Sequence, residues 1–203
     1  MRPFRTALPL WLALAAPVLA SEGPSFDCNQ TENRTQELIC ADPGLAARDR
    51  HVAGGYAEAL AAVESLETGA EAAATDLNTR QSDWIGRRNQ CWRQPNPKGC
   101  VIAAYAHREG ALVAGWMLRP PVETIRWTCD GNPANELVTM LFDTELQSIR
   151  FERGDSVEIG ARIPPAAGAR FEARSGRMIW IQGDAATYRD PGGGDLNCAR
   201  SGP

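Results

Sequence analysis

An even set of cysteines limits what this 203-residue chain can fold into more than any other feature it has. Cys28, Cys40, Cys91, Cys100, Cys129 and Cys198 all follow a start that reads as an export leader. Arg2 and Arg5 supply a basic opening, and Ala7 to Ala16 an apolar run too short to span a bilayer. Pro17-Val18-Leu19-Ala20 then places small residues where a signal peptidase cuts. Cleavage after Ala20 is expected, so residues 1–20 are taken as a signal peptide. No cysteine stands at the cleavage point itself to carry a lipid, which points to a periplasmic or secreted protein without stable membrane insertion. Outside the reducing cytosol, an even cysteine count favours disulfides.

Sequence alone allows fifteen pairings. The clustering suggests Cys28–Cys40, Cys91–Cys100 and Cys129–Cys198, because each pair then falls within one apparent structural unit. The first two close short loops worth roughly 3 kcal/mol each, and the third a loop worth roughly 4 kcal/mol, on the chain-entropy model. Zinc needs close cysteine or histidine pairs such as C-x-x-C, which are absent, so no metal and no cofactor are expected.

The pattern downstream divides in two. A short helical segment at Thr35–Cys40 precedes Asp42-Pro43, a capping residue followed by a first-turn proline. Leu45, Val52, Tyr56, Ala59, Val63 and Leu66 then recur at helical spacing, which predicts about six turns. Thr68-Gly69 interrupts. A second stripe follows through Leu77, Trp84, Ile85, Arg88 and Cys91, with Arg88 its one polar member. The segment Gln94–Gly99, with two prolines, is expected to break the helix. A third stripe runs through Val101, Tyr105, Arg108, Leu112 and Gly115-Trp116, so a bridge between Cys91 and Cys100 staples the turn before it.

Past Pro120-Pro121 the spacing changes to short alternating runs, at Thr124–Cys129, Glu136–Phe142, Ser148–Glu152, Ser156–Ile159, Arg170–Ala173, Arg177–Gln182, Ala185–Arg189 and Leu196–Cys198. Eight short strands with a cysteine in the first and the last suggest a small closed barrel; a sandwich is the alternative. The expected fold is therefore α+β in two domains. A disulfide-stapled three-helix bundle occupies 21–119, and an eight-stranded antiparallel β-barrel occupies 120–203, with a linker at 119–123.

Two stretches resemble known families. Phe26-Asp27-Cys28, Glu37-Leu38-Ile39-Cys40-Ala41-Asp42-Pro43, Leu45, Ala46, Asp49, Trp84, Arg87-Arg88, Cys91, Cys100, Tyr105 and Arg108 are similar to the N-terminal domain of LprI-type lysozyme inhibitors, over about 24–118. Trp127-Thr128-Cys129-Asp130-Gly131, Gly168-Ala169-Arg170-Phe171, Trp180-Ile181-Gln182-Gly183-Asp184-Ala185-Ala186 and Cys198 resemble the MliC/PliC inhibitors of c-type lysozyme, over about 122–200. The second resemblance implies an eight-stranded barrel that blocks lysozyme with a serine-bearing loop and a hairpin lysine, both reaching the enzyme's catalytic carboxylates. The corresponding positions here are Ala167, Gly168 and Phe171 in the loop and Gln182, Gly183 and Asp184 in the hairpin. Ala167 stands where the pattern has serine, and Gln182 where it has lysine. Arg162, Arg170 and Arg174 flank the loop in sequence and are candidates for a substitute charge; arginines on a solvated face are the plainer reading.

The resemblance implies a protein partner, a c-type lysozyme or related glycosidase, and no catalysis. His51 and His107 sit in helical stripes outside any nucleophile motif. Loss of Arg2 and Arg5 takes the formal charge of −4 two units lower, a balance that repels nucleic acid. Of the tryptophans, Trp92, beside the Pro-rich turn, is the one expected to be exposed.

Overall fold

The computed structural model describes residues 22–164 and 167–201; the leader read at 1–20 lies outside them. Four helices come first. Asn33 Oδ1 accepts from the backbone N–H of Thr35 and Gln36 and starts α1 (Arg34–Ala41). Asp42 Oδ1 accepts from Gly44 and Leu45 and starts α2 (Pro43–Glu64), whose first residue is the proline that needs no donor there. The third, α3, spans Ala70–Arg88. Asn96 caps α4 (Pro97–Trp116) through Gly99 N–H at 3.0 Å.

Two expectations shift here. Pro97, Lys98 and Gly99 belong to α4 rather than to a break, because Asn96 caps it and a proline is at home in a first turn. Helix α2 stops at Glu64, so Leu66 lies past its end and is 43 % exposed. The bundle also contains α1 as a fourth helix beside the three long ones.

Apolar stripes of α1–α4 meet around Ile39, Leu45, Val52, Leu77, Val101 and Leu112. Arg88, the polar member of its stripe, enters this core with a partner. Its Nη1 lies 2.9 Å from Asp49 Oδ1, and both side chains are 4 % exposed. Tyr105 Oη donates to the same oxygen at 2.7 Å, and Ser25 N–H donates to Asp49 Oδ2 at 2.7 Å. The remaining guanidinium edge donates to Asn89 Oδ1, and its carbon stands 5.1 Å from the Trp84 ring centre and 5.8 Å from that of Phe26. Burial pushes the Tyr105 hydroxyl well above its ordinary pKa, so it remains a donor.

Eight strands follow: β1 (Glu123–Cys129), β2 (Glu136–Phe142), β3 (Ser148–Arg153), β4 (Ser156–Ile163), β5 (Ala169–Ala173), β6 (Met178–Gln182), β7 (Ala185–Asp190) and β8 (Gly194–Arg200). They pair antiparallel in sequence order and close, β8 on β1, into a barrel. Alternate residues such as Ile125, Trp127, Leu137, Ile149, Phe151 and Ile179 fill it. The Trp127 indole N–H donates to Thr139 Oγ1 at 2.9 Å inside the wall. Strand β4 runs four residues beyond the expected Ile159. Gly160 interrupts the sequence pattern but not the strand: a Cβ there would lie 3.1 Å from Ile149 and 3.2 Å from the Glu172 backbone, so glycine permits a close approach.

Disulfides join Cys28 to Cys40, Cys91 to Cys100 and Cys129 to Cys198, and no cysteine is left free. Helix α4 lies on the outside of the barrel. Val113 and Ala114 pack with Phe142 against Met140 and Ile159, and Arg150 Nη1 donates to Gly115 O at 3.0 Å. Gly110 sits so close to Ser148 that an added Cβ would lie 2.9 Å from the serine Cβ. Among the described residues no helix is long and apolar enough to cross a membrane.

Replacing Arg88 with Met strands Asp49 as an unpaired buried carboxylate and is expected to cost about 3 to 5 kcal/mol in urea unfolding. A loss below about 1 kcal/mol would show that the pair does not organise the helical core.

Candidate functional site

In an antiparallel barrel with neighbours in sequence order, the β4–β5 connection and the β6–β7 turn emerge at the same end. Strands β5 and β6 pair through Ala169 and Ile181, immediately inside both connections. Ala167 and Gly168, at the end of the β4–β5 connection, lie against the outside of β6. Trp180 Nε1 donates to Ala167 O at 2.9 Å. Gly168 has a φ of +74°, and a Cβ there would lie 2.6 Å from Ile181 O, 3.0 Å from Trp180 Nε1 and 3.3 Å from Gln182 Cγ. Glycine is required both by the dihedral and by the contact.

The hairpin is a tight turn. Gln182 pairs with Ala185, and Gly183 between them has a φ of +68°. Ala167, Gly168, Gln182, Gly183 and Asp184 are all exposed and form one continuous edge. Asp184, 91 % exposed at its side chain, is held from behind by Arg200, whose Nε lies 3.2 Å from Asp184 Oδ1. The same guanidinium reaches Glu123 Oε1 at 3.1 Å and so ties the hairpin to the start of β1.

The other expected positions divide between the neighbourhood of this edge and places away from it. Phe171 is 0 % exposed and fills the barrel core, so it supports the edge from inside and does not present a contact surface. Arg162 sits one residue inside the end of β4, exposed, with Nη1 donating to Gln147 Oε1 at 2.7 Å. Arg170 lies opposite Trp180 on β6, on the outer face of the wall, and its Nε is buried without a hydrogen-bond partner. Arg174 does not flank the edge. It lies beyond the far end of β5, where burial and then the charges of Arg87 and Arg80 on α3 lower its pKa. Sequence proximity misleads here because a strand of five residues separates its two ends by about 13 Å at ~3.3 Å per residue.

The edge offers peptide groups, the Gln182 amide and the nearby cations Arg162 and Arg170. It contains no nucleophile beside a base. His51, on α2, faces Glu109 at 3.1 Å instead. Trp92 is 38 % exposed, with the guanidinium carbons of Arg34 and Arg93 at 5.6 Å and 5.0 Å from its ring centre. Among the described residues no cluster of three histidine, cysteine, aspartate or glutamate side chains could hold a metal ion.

Sequence reading missed two features. One is Arg200, whose role depends on strand order. The other is a cavity of about 310 Å³ between α2, α4 and the β2–β3 connection, lined in part by His51, Tyr105, Glu109 and Glu145. It is bordered by the Arg48–Glu145 pair and by Glu109, which accepts from Glu145 N–H at 3.2 Å. Neither shows as a local motif, since each joins elements far apart in the chain.

No family model matches the chain. It is similar to the proteins named Lipoprotein LprI of Mycobacterium tuberculosis and Mycobacterium bovis, at 29 % identity over 181 residues, covering 86 % of this chain and 86 % of theirs. Coverage of that extent reaches into both the helical part and the barrel.

Gly168→Ala is expected to destabilise the protein by about 2 kcal/mol or more, through both its dihedral and its clash with β6. Gly183→Ala has the same sign of φ but open space around it, and should cost only about 1 kcal/mol. Urea unfolding that gave equal losses would show that the connection does not pack on β6.

Proposed function

We propose that this protein binds and inhibits a c-type lysozyme or a related peptidoglycan-cleaving glycosidase, using the edge at Ala167-Gly168 and Gln182-Gly183-Asp184. It acts in the envelope or outside the cell, where three disulfides persist. The observation that carries the reading is the contact between the two segments: the Trp180 indole bonded to Ala167 O, and Gly168 packed on Gln182. In the MliC-like pattern these two segments hold the groups that enter the enzyme's cleft. Likeness to proteins named LprI over most of the chain supports the same direction.

We read the chain as two units, a helical one to about residue 119 and an MliC-like barrel from about 120, with α4 bracing the barrel wall. Lysozyme places two carboxyl groups on either side of the scissile bond. A donor and a cation inserted between them engage the catalytic groups directly. Gln182 keeps two N–H donors without the charge of lysine, and Ala167 presents only its backbone. The cation then comes from Arg170 or Arg162, both near the edge. Arg170 is the stronger candidate, since it shares the outer face with Trp180.

A second reading has a specific observation in its favour. The missing serine hydroxyl and lysine ammonium are the groups that make the family inhibitory, and a charge-assisted bond in a desolvated site is worth about 2 to 5 kcal/mol. The edge then docks another secreted protein or a cell-wall glycan without inhibition.

Lysis of peptidoglycan by a c-type lysozyme separates the two. The wild-type protein is expected to slow lysis at micromolar concentration. Arg170→Gln should weaken the effect by about tenfold, and Ala167→Ser with Gln182→Lys should strengthen it by at least that much. No effect from either the wild type or the double variant would reject inhibition and leave the second reading.

A further inference from the structure

Strands that alternate in direction around the barrel bring the β2–β3 connection, residues 143–147, to the same end as the β4–β5 connection and the β6–β7 hairpin. It is tied to that end directly. Arg162, just inside the end of β4, donates through its backbone N–H to Gln147 O at 2.9 Å and through Nη1 to Gln147 Oε1 at 2.7 Å. On its other side the connection is held by helices. Glu145 pairs with Arg48 on α2, and its N–H donates to Glu109 Oε2 on α4 at 3.2 Å. The rim that carries the candidate edge therefore continues, contact by contact, onto the helical part.

The cavity of about 310 Å³ lies at this junction. Ala47, Val52 and Tyr105 give it apolar walls; the Tyr105 hydroxyl is committed to Asp49 at 2.7 Å, so the ring is what the cavity meets. Its acids are Glu145, with a side chain 41 % exposed, and Glu109, 13 % exposed. One carboxylate stands at the mouth and one further in. Both have partners already, Arg48 on Glu145 and Arg119 at 3.6 Å from Glu109 Oε1, with His51 at 3.1 Å from the same oxygen. These partners are themselves partly or largely exposed, where ion pairs are weak, and a carboxylate has about four acceptor positions to share.

We propose that this cavity is a second contact for the partner that binds the edge, and that it takes a lysine or arginine side chain of that partner. Such a side chain has an apolar stem and a cationic head, which match apolar walls and a pair of carboxylates. The formal charge of −4 on this chain favours a basic partner surface. The contact presupposes the lysozyme-binding edge and gives the helical part a role in the same complex.

Calorimetric titration with a c-type lysozyme tests it, using Ala47→Trp and Glu145→Gln made both in the wild type and in the Ala167→Ser, Gln182→Lys variant. Ala47 is exposed, so a tryptophan there fills the cavity from outside, and Glu145→Gln removes one carboxylate while breaking only an exposed pair. Thermal midpoints near those of the parents establish folding. Each change should weaken binding to its parent's level by about tenfold, and Glu145→Gln should also lessen the dependence on salt. Val157→Ala, exposed at the opposite end of β4, should leave binding unchanged. Parental affinity in both variants would overturn the second contact and leave the edge standing. Failure of both parents to bind lysozyme would overturn the edge and this contact with it.

Discussion

Closure of β8 onto β1 fixes the geometry on which the candidate edge depends. An open sheet could splay its loops apart, whereas a closed one holds every connection at a set place on the rim. Cys129 and Cys198 stand directly opposite each other on β1 and β8, so the covalent link lies at the closing seam itself. Around it, Asp130 N–H donates to Asn197 O at 2.7 Å, and Asn197 N–H donates to Asp130 Oδ1 at 2.9 Å. At the other end of the seam, Arg200 spans Glu123 and Asp184 and carries the closure into the β6–β7 hairpin. The hairpin in turn abuts Gly168, so a chain of contacts runs from the disulfide seam to the exposed edge.

The helical part solves a different problem. Its four helices close an apolar core that also encloses a charged pair. Asp49 gathers Arg88, Tyr105 and Ser25 from distant parts of the chain. Aromatic rings around Arg88 replace some of the solvation that burial removes. Such a pair contributes little net stability but penalises alternative packings, because any misplacement leaves a buried charge alone. Helix α4 brings this core to the barrel, and Gly110 on it lets its backbone approach Ser148 of β3.

Much of this was legible in the residues. Helical and alternating periodicities, the Asp42-Pro43 start and the grouping of cysteines reflect local or near-local constraints, and the elements lie close to where those patterns put them. Corrections came where a cap, a helix end or a distant neighbour overrode the cue read from one residue. Pro97 reads as a breaker until Asn96 is seen capping it. Gly160 reads as the end of a strand until Ile149 and Glu172 are found pressed against it. Leu66 continues an apolar spacing after the helix has ended.

The edge was legible only as two separate segments. That they touch depends on strand order and on the Trp180 indole, while Phe171 was assigned to it by the resemblance and Arg174 by sequence distance alone. One step along a strand turns a side chain from wall to core, as at Phe171, and a full strand carries its end to the opposite rim, as at Arg174.

Amide hydrogen exchange of the protein with and without a c-type lysozyme is the sharpest check on the docking edge. Protection concentrated at 167–169 and 181–185, with the outer strands of the opposite wall unchanged, is the expected result. Protection confined to α1–α4, with the barrel rim exchanging as in the free protein, would contradict it.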